Sequence, residues 1–174
     1  MRTVGKILIA LLILLAAGLL LLQLIPYGRN HDNPPVISEP VWDSPQTVAL
    51  VDQACSDCHS NKTVWPWYSS VAPVSWLVQR DVDEGRRALN FSTWGRGGEG
   101  EEAEELAEVI LSGEMPPRVY LITHPEARLT DSEKQQLIRG LQASAGNGAA
   151  RGAGGDFTSG ERGEAEEHED EDDD

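Results

Sequence analysis

Two cysteines and a histidine stand together in the segment Cys55-Ser-Asp-Cys58-His59, and their types and spacing suit one kind of chemistry. Two cysteines three positions apart, followed directly by histidine, form the attachment pattern of c-type haem. The two sulfurs can form thioethers with the two vinyl groups of the porphyrin, and the histidine beneath the ring can then ligate the iron. The pattern predicts one covalent haem c on Cys55 and Cys58, with His59 as the proximal iron ligand.

Other interpretations of the cysteine pair have less support. A structural zinc site usually needs four ligands, and these are the only two cysteines in the chain, although His31, His124 or His168 could contribute. A thioredoxin-like redox pair requires strands around it, and no strand-like alternation is visible. A pair without function remains the third alternative.

The second axial ligand of the iron has one leading candidate. Met115 follows the haem motif in the run Gly113-Glu-Met115-Pro-Pro117, and it is the only methionine besides the initiator. Methionine sulfur ligates the iron in many cytochromes c, and the two prolines would stiffen the loop that presents it. His124 is the alternative ligand, and an open sixth site is the third possibility.

The N-terminus carries a long apolar run. No charged residue occurs from Ile7 to Ile25, which is about the length that spans a hydrocarbon core. The run exceeds the apolar part of a typical signal peptide, and no small-x-small cleavage site follows it. We predict a membrane anchor over 1–26, with a cleaved signal as the alternative. Arg2 and Lys6 would keep the N-terminus in the bacterial cytoplasm, so that the rest of the chain lies outside it, in the periplasm.

A linker at 27–40 and a haem-binding domain at 41–143 should follow the anchor. Apolar residues at helical spacing predict four short helices in this domain. We expect these helices to begin after Ser44, after Pro73, near Glu101 and after Thr130, with the third ending at Gly113. Trp65-Pro66-Trp67-Tyr68 should form a packed loop between the first two. The expected fold class is all-α, a small cytochrome c-like domain around one haem.

Three arginines on the second of these helices have two possible roles. Arg80, Arg86 and Arg87 could pair with haem propionates. They could equally form helix-surface pairs with the acidic residues between them, Asp81, Asp83 and Glu84.

The C-terminal residues 144–174 are rich in Gly and Ala and then strongly acidic. From 161 to 174 there are ten acidic residues and one arginine, which accounts for −9 of the net charge of −15. Such a composition cannot bury enough apolar surface to fold, so we predict a disordered tail. The acidity also argues against nucleic acid as a partner, because phosphate binding needs a basic surface.

The motifs together resemble a known family. The segments at 55–76 and 81–94, the Met115-Pro-Pro run and the His124-Pro pair resemble the bacterial haem-binding domain family over roughly 41–143. The resemblance implies a small periplasmic or membrane-tethered c-type haem module. Related domains are found fused to, or near, cytochrome c peroxidase-like modules.

The expected function is single-electron transfer with redox partner proteins that the sequence does not identify. One alternative is a haem-based sensor or ligand-binding module, which needs an open sixth site. Another is an accessory subunit of a peroxidase-like enzyme. A complete enzyme is not expected, because the sequence offers one haem motif and no evident acid–base group beside it.

Overall fold

The fold is all-α in the computed structural model, which describes residues 2–95 and 103–153. Within these ranges there is no β-strand, and the only sheet-like pairing is an isolated bridge between Ser38 and Thr93. The helices are α1 (Arg2–Leu22), α2 (Pro45–Ala54), α3 (Ser56–His59), α4 (Val74–Ala88), α5 (Ala103–Ser112), α6 (Tyr120–Thr123) and α7 (Asp131–Ala153), with 3-10 turns at Trp67–Ser70 and Pro125–Ala127.

Helix starts follow the capping residues in the sequence. Ser44 caps α2 by accepting a hydrogen bond from the Thr47 amide at 3.2 Å, and Pro45 occupies the first turn. At α7 the Glu133 amide donates to Thr130 Oγ1, while the Thr130 amide donates to Glu133 Oε2 at 2.7 Å. This reciprocal pair is the predicted capping box.

The core lies between α2, α5 and α7 and the segment that follows α4. Its buried residues are Leu50, Val51, Leu89, Phe91, Ile110, Leu137, Ile138 and Leu141. Helices α2 and α7 approach closely at Gly140, where an added Cβ would overlap the Thr47 side chain. Trp42 and Trp94 pack against Phe91, so aromatic side chains fill part of the core as the composition suggested.

Two expectations about individual elements differ from the structure, and two others cannot be compared with it. Helix α7 continues to Ala153, past the predicted boundary at 144, and its alanines favour helix. The rest of the predicted tail, 154–174, and the expected start of the third helix at Glu101 lie outside the described residues. Trp67 is not packed: it is 80% exposed in the 3-10 turn, because its neighbours Tyr68 and Ser69 make that turn's contacts instead.

Helix α1 has the length and composition of a membrane span over Thr3–Leu22. The chain that follows it packs against the helical domain. Gln23 pairs with the backbone of Ala72, its Nε2 donating to the Ala72 carbonyl at 2.8 Å and its Oε1 accepting from the Ala72 amide at 3.1 Å. The His31 ring stacks on Trp65 with 4.8 Å between ring centroids. The predicted linker is therefore held on the domain surface at several points.

Candidate functional site

The cysteine–histidine motif begins where α2 ends. Helix α2 stops at Ala54, and the motif then forms the separate short helix α3, in which the His59 amide donates to the Cys55 carbonyl at 2.9 Å. Cys55 packs against the hydrophobic core. Cys58 faces α4, where its backbone lies so close to Gly85 that a Cβ there would stand 2.6 Å from the Cys58 oxygen. The two cysteines are thus fixed between the core and α4.

The His59 ring has a defined orientation. Its Nδ1 lies 3.1 Å from the Leu89 carbonyl oxygen, which can only accept, so Nδ1 carries the proton. In this neutral tautomer Nε2 is unprotonated and keeps its lone pair. A backbone carbonyl that holds one nitrogen of a histidine while the other binds metal is the usual outer contact of a ligating histidine.

The segment after α4 supports the same histidine from a second side. The Phe91 amide donates to the His59 carbonyl at 2.8 Å, and the Phe91 ring lies 6.5 Å from the imidazole between centroids. Burial lowers the pKa of His59, against the opposing effect of backbone hydrogen bonds. The neutral imidazole that iron ligation requires is therefore the favoured form.

The thiols are poorly suited to thiolate chemistry. Burial, with the nearby Cys58 and Asp52 adding to it, raises the pKa of Cys55 to about 12. Burial and the Asp57 carboxylate raise the pKa of Cys58 to about 11. Redox-active and zinc-binding cysteines need a stabilised thiolate, which these surroundings disfavour. No group of three or more metal-binding side chains occurs in the described part of the chain.

Met115 lies on the same side of the core as Cys55. Both residues line a small apolar gap of about 20 Å³, together with Ala54, Ile110, Pro116, Leu129, Lys134 and Leu137. Gly113, at φ +75°, ends α5 as predicted, and the Met115 amide then donates to the Val109 carbonyl at 3.0 Å. The structure brings Met115 near Cys55; His59 does not line this gap.

His124 lies close to the motif through its contact with Tyr120. Its ring stacks on Tyr120 with 4.0 Å between centroids, and Tyr120 donates its hydroxyl proton to Asp57 Oδ2 at 2.8 Å. Asp57 lies inside the motif, between the two cysteines. Burial and the Asp57 charge raise the pKa of Tyr120, so its hydroxyl remains a donor to that carboxylate. His124 Nδ1 lies within hydrogen-bond distance of Thr123 and of the Tyr120 carbonyl.

Arg86 joins the motif to the chain before it. Its guanidinium donates to the Ser60 carbonyl, the Asp32 carbonyl, Asn33 Oδ1 and Thr63 Oγ1, all at 2.8–2.9 Å. These contacts occupy the group that could have met a haem propionate. By contrast, Arg80 pairs with Asp81 and Glu84 on the helix surface, as the alternative interpretation expected.

Replacing Arg86 by lysine should lower the free energy of unfolding by about 1–3 kcal/mol, because an ammonium cannot reach four acceptors arranged around a planar guanidinium. Urea denaturation followed by circular dichroism measures this change. Arg87→Ala, on the exposed side of the same helix, should stay within about 0.5 kcal/mol of the parent protein. Equal stability of the two variants would contradict the structural role of Arg86.

The roles of several site residues were not predicted from the sequence. Leu89 and Phe91 act on His59 through backbone groups, which carry no residue-specific signal. Asp57 and Tyr120 meet across 63 positions of the chain. Gly85 did offer a hint, since glycine inside a helix often marks a close backbone approach.

Comparison with known proteins gives one match. The model of a family described as a haem-binding domain matches residues 17–143. The matched region starts inside α1 and includes the segment that follows it, as well as every residue of the site described above. No curated protein and no solved structure matches the chain.

Proposed function

Because the chain belongs to the haem-binding domain family, we propose that it binds one haem c through Cys55 and Cys58 and carries single electrons outside the cytoplasm. The main support is the His59 ring, held by the Leu89 carbonyl with Nε2 left for iron. Such a fixed neutral imidazole suits a permanent axial ligand. When bound, the haem supplies a reversible one-electron iron couple.

The residues present fit this cofactor by their chemistry. Two cysteines on one helical turn, a neutral histidine beside them and a thioether side chain on the same side of the core make up the donor set of a cytochrome c. The gap between Cys55 and Met115 measures about 20 Å³, so a porphyrin would have to displace the apolar side chains that line it. Met115 is 36% exposed, so the core does not fully enclose its side chain.

In electron transfer the protein would hold the haem iron and shield the site from water. His59 and Met115 would hold the iron, and ligation by the methionine sulfur would raise the reduction potential. Phe91 and the apolar residues around Cys55 would exclude water from the site. A closed coordination shell changes little between oxidation states, which favours electron exchange over ligand binding.

Membrane anchoring by α1 would place this domain at the outer surface of the cytoplasmic membrane. The support is the apolar span Thr3–Leu22 with Arg2 and Lys6 near its start. Alkaline carbonate washing of membranes tests it, since an anchored chain stays with the bilayer. Redox partners with a basic face would be attracted by the net charge of −15, and their reaction rate should fall as salt rises.

Replacing Met115 by alanine should remove the weak long-wavelength band of methionine–iron ligation from the oxidised spectrum, and should let the reduced protein bind carbon monoxide. The parent protein should show the band and bind little carbon monoxide, because its sixth position is closed. Absorption spectroscopy of the purified haem protein measures both.

His124→Ala is the matched control, and it should leave the band and the carbon monoxide response unchanged. If the parent protein lacks the band, and His124→Ala but not Met115→Ala lets the reduced protein bind carbon monoxide, the ligand is His124. Rapid carbon monoxide binding by the parent protein would instead favour the sensor function over the electron carrier.

A further inference from the structure

An apolar surface lies beside the C-terminal end of α1. It consists of the exposed side chains of Trp67, Val71, Val74 and Leu77, which we call the apolar rim. Trp67 is 80% exposed, and the other three are 39–43% exposed. A large exposed tryptophan among exposed aliphatic residues is unusual for a surface that meets only water.

Hydrogen bonds fix this rim to the end of α1. Gln23, directly after the helix, pairs through both atoms of its amide with the Ala72 backbone, at 2.8 and 3.1 Å. Gly28, at φ +77°, then packs against the Ser75 backbone so closely that no side chain fits between them. The rim residues on either side of Ala72 therefore stay level with the end of the membrane-spanning helix.

Distances along the chain keep Val71 and Val74, at the centre of the rim, close to the end of α1. Val71 and Val74 lie one and two positions from Ala72, so their Cα atoms are within about 7 Å of it. The layer between hydrocarbon and water is about 5–7 Å thick on each side of a membrane. Tryptophan is enriched in this layer, where its ring is partly apolar and partly polar.

The composition of the segment matches a lipid environment better than a redox partner. No charged residue occurs from Val64 to Gln79, in a chain whose residues are 25% charged. Three of the five tryptophans, Trp65, Trp67 and Trp76, lie in this segment. Transient docking of electron carriers relies on charged surfaces, whereas an uncharged segment rich in tryptophan suits the membrane interface.

We propose that the apolar rim enters the interfacial layer of the bilayer that α1 spans, so that the haem-binding domain rests on the membrane at two places. The inference rests on the proposed membrane anchoring. It gives the domain a fixed orientation instead of free rotation about a tether. Helix α4 leads away from the rim, and Gly85, which contacts Cys58, lies about 16 Å along it from Val74. The haem motif would then stand at a set height above the membrane.

Photo-cross-linking to lipid tests the proposal on the full-length haem protein. A benzophenone amino acid replaces Trp67 or Val71 in separate variants, and the protein is reconstituted in phosphatidylcholine vesicles whose acyl chains carry an alkyne tag. Leu111 is the matched control position, because it is also an exposed aliphatic residue, at 54%, and it belongs to α5, which packs with α7 and not with the end of α1. After irradiation, lipid attached to the protein is detected on a denaturing gel.

We expect several-fold more lipid attachment from positions 67 and 71 than from position 111. Equal attachment from all three positions, in a chain that resists carbonate washing, would overturn the rim contact and leave the anchoring intact. Release of the chain by carbonate would overturn the anchoring and the rim contact together. Cross-links from 67 and 71 to a second copy of the chain, without lipid attachment, would show that the apolar rim contacts another protein molecule and not lipid.

Discussion

Replacing both Cys55 and Cys58 by alanine should leave no haem that survives acid–acetone extraction. These are the only cysteines in the chain, so the double variant has no sulfur left for a thioether bond. The loss should be complete and not partial. Haem staining of a denaturing gel, together with the absorption spectrum of the extracted protein, measures it after co-expression with a haem-attachment system.

Ser56→Ala is the matched control within the motif. The Ser56 hydroxyl donates to Asp52 at 2.9 Å on the protein surface, so its removal should leave haem attachment unchanged. Any loss of haem in the double variant beyond that in the control is then caused by removal of the two cysteine sulfurs. Retention of covalent haem by the double variant would remove the central part of the proposed function.

Replacing Gly85 by alanine should destabilise the protein and reduce haem attachment. Glycine to alanine within a helix normally stabilises a protein by up to about 1 kcal/mol, because alanine has the higher helix propensity. Here the new Cβ would lie 2.6 Å from the Cys58 oxygen and 3.0 Å from the Cys58 Cβ, so α4 and the motif must move apart. Such overpacking typically costs about 1–3 kcal/mol, and the sign of the change is therefore diagnostic.

Urea denaturation and the yield of covalent haem measure the two effects of Gly85→Ala. Glu84→Ala, one residue earlier on the exposed side of α4, is the control and should change stability by no more than about 0.5 kcal/mol. A Gly85→Ala variant as stable as the parent, with full haem yield, would show that the contact between α3 and α4 tolerates a side chain.

Local features of the sequence predicted the ends of elements well. Ser44, Gly113 and Thr130 act within three or four positions of themselves, so their roles as caps can be read from neighbouring residues. The end of α7 was missed because the predicted boundary followed composition. The exposure of Trp67 was missed because a large apolar residue is usually buried, and only contacts with distant parts of the chain decide whether it is.

The chemistry available to this protein can be read from residues that are neighbours in the chain. Cys55, Cys58 and His59 are adjacent in the chain, and the apolar run of α1 is continuous, so both patterns are visible without a fold. The family match is carried by such patterns.

How those groups are held depends on contacts between distant parts of the chain. The Leu89 carbonyl reaches the His59 ring across 30 positions, and Gln23 reaches Ala72 across 49. Arg86 bonds to residues 23 to 54 positions away. These contacts depend on how α4 packs against the motif and on where the chain returns after α1. Long-range packing of this kind has no local sequence signal, because many different residue pairs satisfy the same hydrogen bonds.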